Sequence, residues 1–385
     1  MELRTALRAA MASLAIGGNA AAERVTGSCP WSWGTDWGLS AQQGVGAQQR
    51  PAEVRYPEVR IGGLWYLSFQ QGSVSHADFS RFIIKRGYIN VEAKLFSFMS
   101  ARITPDVTQE ETGDLKVRLK YAYAKFTPRD LGFITKPEVE FGVVHMPWLD
   151  FEEHLNNYRM QDTMFMERFG LFDSADMGVT LMGLLGGSLP EEYRKTVNNY
   201  FPGRFGSFAF GVYNGGGYHA REENTNKAFE GRLTLRPLPD QAPGLQFSYF
   251  GVRGKGNSAA APDWSVDSVM ASYESRLMVL TGTWVDALGN QSGLAVDASG
   301  QALDSKGWSL FGEAKLSPRI SVIARYDRFD PNQASEDDTQ SRTIVGAAYH
   351  IGKGNTVLVD YDRLTFGQSG RLVSDRIQVT LQVSY

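Results

Sequence analysis

Residues 376–385 alternate without exception. Ile377, Val379, Leu381, Val383 and Tyr385 are apolar or aromatic, while Arg376, Gln378, Thr380, Gln382 and Ser384 are polar. Period two marks a strand with one face in an apolar medium and the other in a polar one. The pattern recurs upstream. Leu115, Val117, Leu119 and Tyr121 alternate with Lys116, Arg118 and Lys120, and Val139, Phe141 and Val143 with Glu138 and Glu140. Leu233 and Leu235 alternate with Arg232, Thr234 and Arg236, and Trp308, Leu310, Ala314 and Leu316 with Ser309, Glu313 and Lys315. A soluble sandwich shows the same period, its apolar face packed on a second sheet. Three features favour a closed barrel with lipid outside and water inside: dense charge on one face, an unbroken run of hairpins, and a last strand ending on an aromatic.

Strand starts are expected near residues 60, 81, 98, 114, 138, 174, 204, 227, 245, 263, 277, 306, 320, 340, 355 and 375. That makes about sixteen, an even number as in single-chain bacterial barrels. Short turns at 95–97, 275–276, 317–319 and 352–354 alternate with long polar loops at 286–305, 330–339 and 367–374. One connection misfits. Residues 187–202 belong to the short-turn side yet are long, and 190–200 reads as a short helix. The fold expected is all-β: a transmembrane antiparallel barrel of about 16 strands with a long inward-folded loop.

Composition is consistent with this and excludes some alternatives. Among 385 residues no run of about 18 apolar residues exists, so no helix is expected to span a bilayer. The mean hydropathy of −0.28 suits a barrel in which only every second strand residue meets lipid. A net charge of −3 gives no electrostatic case for nucleic acid. Arg4 and Arg8, then the weakly apolar stretch 9–16 and the small residues 19–22, read as a signal peptide over 1–22. Residues 23–57, with Trp31, Trp33 and Trp37 and a Gln/Gly/Ala-rich run, read as a linker-like periplasmic segment ahead of a barrel over 58–385.

The longest loop, 147–173, follows the fifth strand. The stretch 142–150 (GVVHMPWLD), Arg159, Met166-Glu167-Arg168 and 174–179 (SADMGV), with Ile84-Lys85-Arg86-Gly87-Tyr88 in the second strand, resembles the phosphate-selective (O/P-like) family of Gram-negative outer-membrane porins. The likeness spans most of 60–385 through short motifs, more specific for fold than for substrate. It implies a sixteen-stranded barrel in outer-membrane lipid and lipopolysaccharide, a homotrimer, and a loop that narrows a passive channel for small hydrophilic solutes or ions. An anion preference, for phosphate among others, is part of that implication. Strand parity and loop position nominate Asp150, Glu153, Arg159 and Arg168 for the loop lining. For the wall they nominate Arg102, Lys116, Arg118, Lys120, Arg232 and Arg236. The loop departs from the family's expectation: its acids outnumber its arginines, whereas an anion path calls for cations. Charge counting therefore leaves the selectivity unsigned.

Chemistry was sought and set aside. His145 and His154, with Asp150, Glu152 and Glu153 between them, could gather around a metal, but a water-facing polar loop is the favoured reading. No Gly-x-Ser-x-Gly elbow is present, and the single cysteine, Cys29, excludes Cys-x-x-Cys-His haem attachment. No catalytic residue, metal or cofactor is expected. Two other classes stay open: a barrel sheathing a separate multihaem cytochrome, prompted by the tryptophan-rich segment, and a barrel enzyme.

Overall fold

The computed structural model describes residues 56–385 except 111, 336, 337, 368 and 369. The expected signal and nearly all of the linker lie outside these residues. The strands are β1 (Glu58–Val74), β2 (Ala77–Phe96), β3 (Met99–Gln109), β4 (Leu115–Phe126), β5 (Ile134–His145), β6 (Ala175–Leu185), β7 (Gly206–Tyr213) and β8 (Ala228–Leu235). They continue as β9 (Leu245–Lys255), β10 (Asp263–Glu274), β11 (Met278–Leu288), β12 (Asp304–Ser317), β13 (Ile320–Asp330), β14 (Gln340–Gly352), β15 (Asn355–Phe366) and β16 (Arg371–Ser384). Each pairs antiparallel with its sequence neighbours. Leu64 opposite Ser384 through Val74 opposite Ser374 closes the ring as a sixteen-strand barrel. Every start expected from sequence falls within four residues of the observed one.

Closure satisfies the backbone and abolishes free sheet edges along the paired spans, so the side chains decide the surroundings. In β16, Gln378, Thr380, Gln382 and Ser384 are buried inside while Val379 faces outward. In β12, Ser309, Phe311 and Glu313 are buried and Trp308 and Leu310 are exposed. The outer surface carries Phe82, Val117, Phe141, Phe247 and Leu310, each at least half exposed. An apolar belt around a polar interior is the inverse of a water-soluble protein, and its natural surroundings are hydrocarbon.

Of the register shifts in the barrel, two bear on the lumen at the loop. On β2, Tyr66 pairs with Arg86 but Leu67 pairs with Ile84, so Lys85 is unmatched. A bulge turns two successive side chains to one face, and Lys85 and Arg86 both point inward. On β4, Thr104 pairs with Tyr121 but Pro105 with Leu119, leaving Lys120 unmatched. Pro105 has no N–H for the ladder, which favours an irregularity beside it. Below the bulge Tyr121 and Tyr123 are buried in the lumen at 8% and 7% exposure. This corrects the alternation, which put Tyr121 on the lipid face with Leu119.

Candidate constriction inside the barrel

The connection from β5 to β6 turns into the lumen. Gly142, at φ 132°, lets β4 and β5 approach just before it: a Cβ there would lie 2.2 Å from the Ala122 carbonyl oxygen. Pro147 then ends the strand pattern, and two short helices follow, α1 (Leu149–Glu153) and α2 (Phe165–Arg168). The loop is more apolar than a solvated loop needs to be. Trp148, Leu149, Phe151, Met164, Phe165 and Phe172 are essentially fully buried. They meet an apolar patch on the inner wall formed by Phe250, Val252, Trp264, Val266, Val285 and Phe329. Ring centroids lie 5.3 Å apart for Trp148 and Phe250, 5.0 Å for Phe172 and Phe250, and 4.3 Å for Phe169 and Phe329. Each large side chain so buried contributes about 1.5–3 kcal/mol. The lumen beside β9–β13 is therefore a packed core rather than a water path.

Polar anchors extend this attachment around the wall. On β8, Arg232 donates from Nε to the Pro147 carbonyl at 2.9 Å. On β12, Glu313 accepts from Tyr158 Oη at 2.6 Å, and on β13 Asp327 accepts from Arg168 Nη1 at 2.7 Å. Asp162 binds Arg342 of β14 at 2.9 Å and Arg376 of β16 at 2.6 Å, and both arginines also bind Asp362 of β15. Lys85 closes the arc by donating to the carbonyls of Met160 at 2.7 Å and Gln161 at 2.8 Å. The loop is thus tied to the wall from β8 through β16 to β2.

Along the wall of β2–β5 the loop makes no ion pair among the described residues, and Lys120 is buried there at 5% exposure. Lys120 lies 4.8 Å from the Tyr88 ring centroid and 5.3 Å from that of Tyr121. Arg102 rests over Tyr121 at 4.8 Å and donates to Asn90 Oδ1 at 2.8 Å and Thr104 Oγ1 at 3.0 Å. Arg86 is bound to Asp106 and Lys116 to Glu110, whereas Lys120 and Arg118 have no ion pair among the described residues. The loop acids, by contrast, have partners. Arg159 bridges Glu153 at 3.0 Å and Glu167 at 2.7 Å, and Asp150 lies 3.6 Å from His154. Asp173 lies 3.3 Å from His219, and Glu152 accepts from Trp148 Nε1 at 2.8 Å. Burial pushes Asp162 up, but Arg376, Arg168, Arg342 and Lys85 outweigh it and hold the carboxyl well below the usual range.

The nominated residues therefore fall into two groups. Arg102, Lys116, Arg118 and Lys120 lie on the β2–β5 wall, Lys120 at 5% exposure, with Asp150, Glu153 and Arg159 on the loop. Arg168 is taken up by Asp327. Arg232 and Arg236 are each 2% exposed; Arg232 is stacked by Phe151 at 4.2 Å and Phe201 at 5.0 Å. Lys85, Arg86, Asp162 and Arg342 were not nominated, nor was the pair Tyr88 and Tyr121. An adjacent Lys-Arg in a strand and a proline in the facing strand were the available signals for the bulges. His145 at the end of β5 and His154 in the loop are each served by their own carboxylate, Glu140 at 2.8 Å from His145 Nδ1 and Asp150 beside His154. Ser321 Oγ lies 3.2 Å from His350 Nε2, but the Nδ1 partner is the Thr356 hydroxyl and Ser321 is 1% exposed, so no nucleophile is presented.

The closed antiparallel barrel is the fold of solved outer-membrane proteins. The anion-selective porin from Comamonas acidovorans superposes with a TM-score of 0.59 at 11% identity, covering 86% of this chain and 100% of that one. The trimer form of OmpT, an outer-membrane protein of Vibrio cholerae, gives 0.55 at 10% identity, covering 86% and 99%. The outer-membrane channel DcaP of Acinetobacter baumannii gives 0.53 at 14%, covering 86% and 97%. At these identities the likeness defines the fold. No family model and no curated protein matches the sequence.

Proposed function

We propose that the chain is a Gram-negative outer-membrane porin, a passive diffusion channel for small hydrophilic solutes with a preference for anions. The observation that carries this is the β2–β5 wall beside the loop, where Arg118 and Lys120 have no ion pair among the described residues while Glu153, Glu167 and Asp162 of the loop are bound by arginines. Paired charges contribute little net field, and in this proposal the unpaired cations Arg118 and Lys120 set the sign. Arg102, Lys116, Arg118 and Lys120 are then the pore wall, and Asp150, Glu153 and Arg159 the facing edge. A phosphate-type substrate and a homotrimer in lipopolysaccharide-containing membrane follow the family resemblance and the trimeric neighbour. The mechanism is positional: closure holds the backbone, the apolar belt holds the barrel in lipid, and the loop sets the width. A sheath around a separate haem protein needs the lumen that the loop already fills, and nothing in the site favours it.

The test is planar-bilayer conductance with reversal potential under a KCl gradient. Stepwise channels with an anion-signed potential are expected, and Lys120→Glu should move that potential toward cation preference. Folded barrels that pass no current defeat the channel proposal. An unchanged potential in Lys120→Glu defeats the assignment of the path.

A further inference from the structure

The connection from β6 to β7 is the one long segment on the short-turn side. The ladder first continues past the strands: Leu189 N donates to the Pro202 carbonyl at 2.7 Å and Arg204 N to that of Gly187 at 3.0 Å. Between these points the chain forms α3 (Glu191–Thr196) and then turns under the loop from the opposite end of the barrel. Asn198 Nδ2 donates to the His154 carbonyl at 2.9 Å and to Glu274 Oε2 on β10 at 2.8 Å. The Tyr200 ring lies 3.5 Å from the His154 ring, and Phe201 meets Phe151 edge-on at 5.4 Å. Arg276, in the β10–β11 turn, donates to Glu192 at 2.6 Å and to Thr196 at 3.0 Å. The segment thus reaches from β6–β7 to the β10–β11 turn and ties to the tip of α1.

It divides the short-turn mouth in two. A cavity of about 170 Å³ has Arg102, Lys125 and Glu138 on its wall side and Tyr200 and Phe201 on its segment side. A second, of about 540 Å³, has Glu313, Lys315 and His350 on its wall side and Thr196 and Val197 on its segment side. The smaller space is also lined by His145 at the end of β5 and by Asp150 of the loop, so it lies where the β2–β5 wall meets the loop.

We infer that residues 186–205 form a second constriction, in series with the loop, held at the short-turn mouth by the Tyr200–His154 stack and the Asn198 bridge. This inference rests on the channel proposal and adds a resistance that the loop alone does not supply. Ion preference is set upstream at Lys120, so the segment controls flux and solute size without setting sign.

The experiment compares the wild type with two variants in bilayers. In one, residues 190–201 are replaced by an Asn-Gly turn, which joins the paired Leu189 and Pro202 through a hairpin connection. The other is the milder double substitution Asn198→Ala, Tyr200→Ala. Heat-modifiable migration verifies that each barrel has folded. Single-channel conductance should rise roughly twofold in the replacement variant, as for two comparable resistances in series, with the reversal potential unmoved. The double substitution should shift in the same direction. A silent wild type whose replacement variant conducts defeats the open-channel proposal and overturns the constriction in favour of a seal. Equal conductance in all three overturns the second constriction and leaves the channel standing. Silence in all three defeats the channel proposal and this inference with it.

Discussion

Asp162→Asn isolates the latch that holds the loop across the lumen. Asp162 Oδ2 accepts from Arg342 Nη2 at 2.9 Å and Arg376 Nη2 at 2.6 Å, and its side chain is 26% exposed. Asparagine keeps the shape and removes the charge, leaving two guanidinium groups to share Asp362. A hydrogen bond to a charged group contributes about 1.5–3 kcal/mol. Two such bonds give an upper figure of roughly 3–6 kcal/mol, which lumen water lowers toward the values of exposed pairs. Loop docking should weaken by about 2–3 kcal/mol, or roughly 30- to 150-fold in the population of the locally released loop. The barrel keeps its ladders and the apolar anchors at Trp148 and Phe165, so global unfolding should hardly move. Hydrogen exchange of peptides covering 157–164 reads the release directly, since Gln161 N donates to the Tyr158 carbonyl at 2.9 Å in the docked loop.

The pH dependence supplies a second check on the same variant. The Asp162 carboxyl titrates below its ordinary range, so its stabilisation is complete above the unfolded value of about 4 and fades only as pH falls through the lower folded value. The difference between wild type and Asp162→Asn should therefore be flat across neutral pH and shrink only in acid. Unchanged exchange in 157–164, or a difference that collapses between pH 6 and 8, refutes the latch.

Two further outcomes test the rest of the site. Trp148→Ala removes a fully buried ring from the contact with Phe250 and should cost about 3–5 kcal/mol of loop docking; loss of near-UV circular dichroism with far-UV β signal intact is expected, and an unchanged near-UV spectrum opposes the packed-core account. Glu152, in the loop outside the strands, is pushed up to about 7 by burial, with Arg325 and the Trp148 N–H pulling the other way. Its raised value means docking is strongest when it is protonated, complete below the ordinary carboxylate value and lost as pH rises through about 7. Protease sensitivity of the loop should therefore grow between pH 6 and 8 in the wild type and stay flat in Glu152→Gln; a flat wild type refutes it.

The strand count was legible because period-two alternation and turn residues are local signals, and in β12 and β16 the parity read from sequence is the parity observed. It failed at β4, where the unmatched Lys120 shifts the register by one, and it gave no sign of the same shift at Lys85 in β2. One residue is enough to send Tyr121 from lipid to lumen, since side chains alternate with period two. The long 187–202 connection and its helix were also readable, but its meeting with His154 was not, because contacts between segments 44 residues apart leave no local trace. The apolar content of the loop was visible in Trp148, Leu149, Phe151 and Phe165. Its meaning depended on inward Phe250, Val252, Trp264 and Val266, on wall positions where a wet channel predicts polar residues.

The same separation explains why charge counting could not sign the pore. From sequence the loop is acidic and the wall mixed, which suggests two opposed fields. In the fold, Glu153 and Glu167 share Arg159, Asp162 is shared by Arg342 and Arg376, and Asp327 is held between Arg168 and Arg325. The loop's acids serve as fasteners, and the arginines that fasten them are withdrawn from the path. Lys120 escapes this because the bulge beside Pro105 places it next to tyrosine rings instead of carboxylates. A ring face steadies a cation without neutralising it. On the channel proposal, the charges that lack a partner would set the selectivity, and a register shift of one residue changes which charges those are.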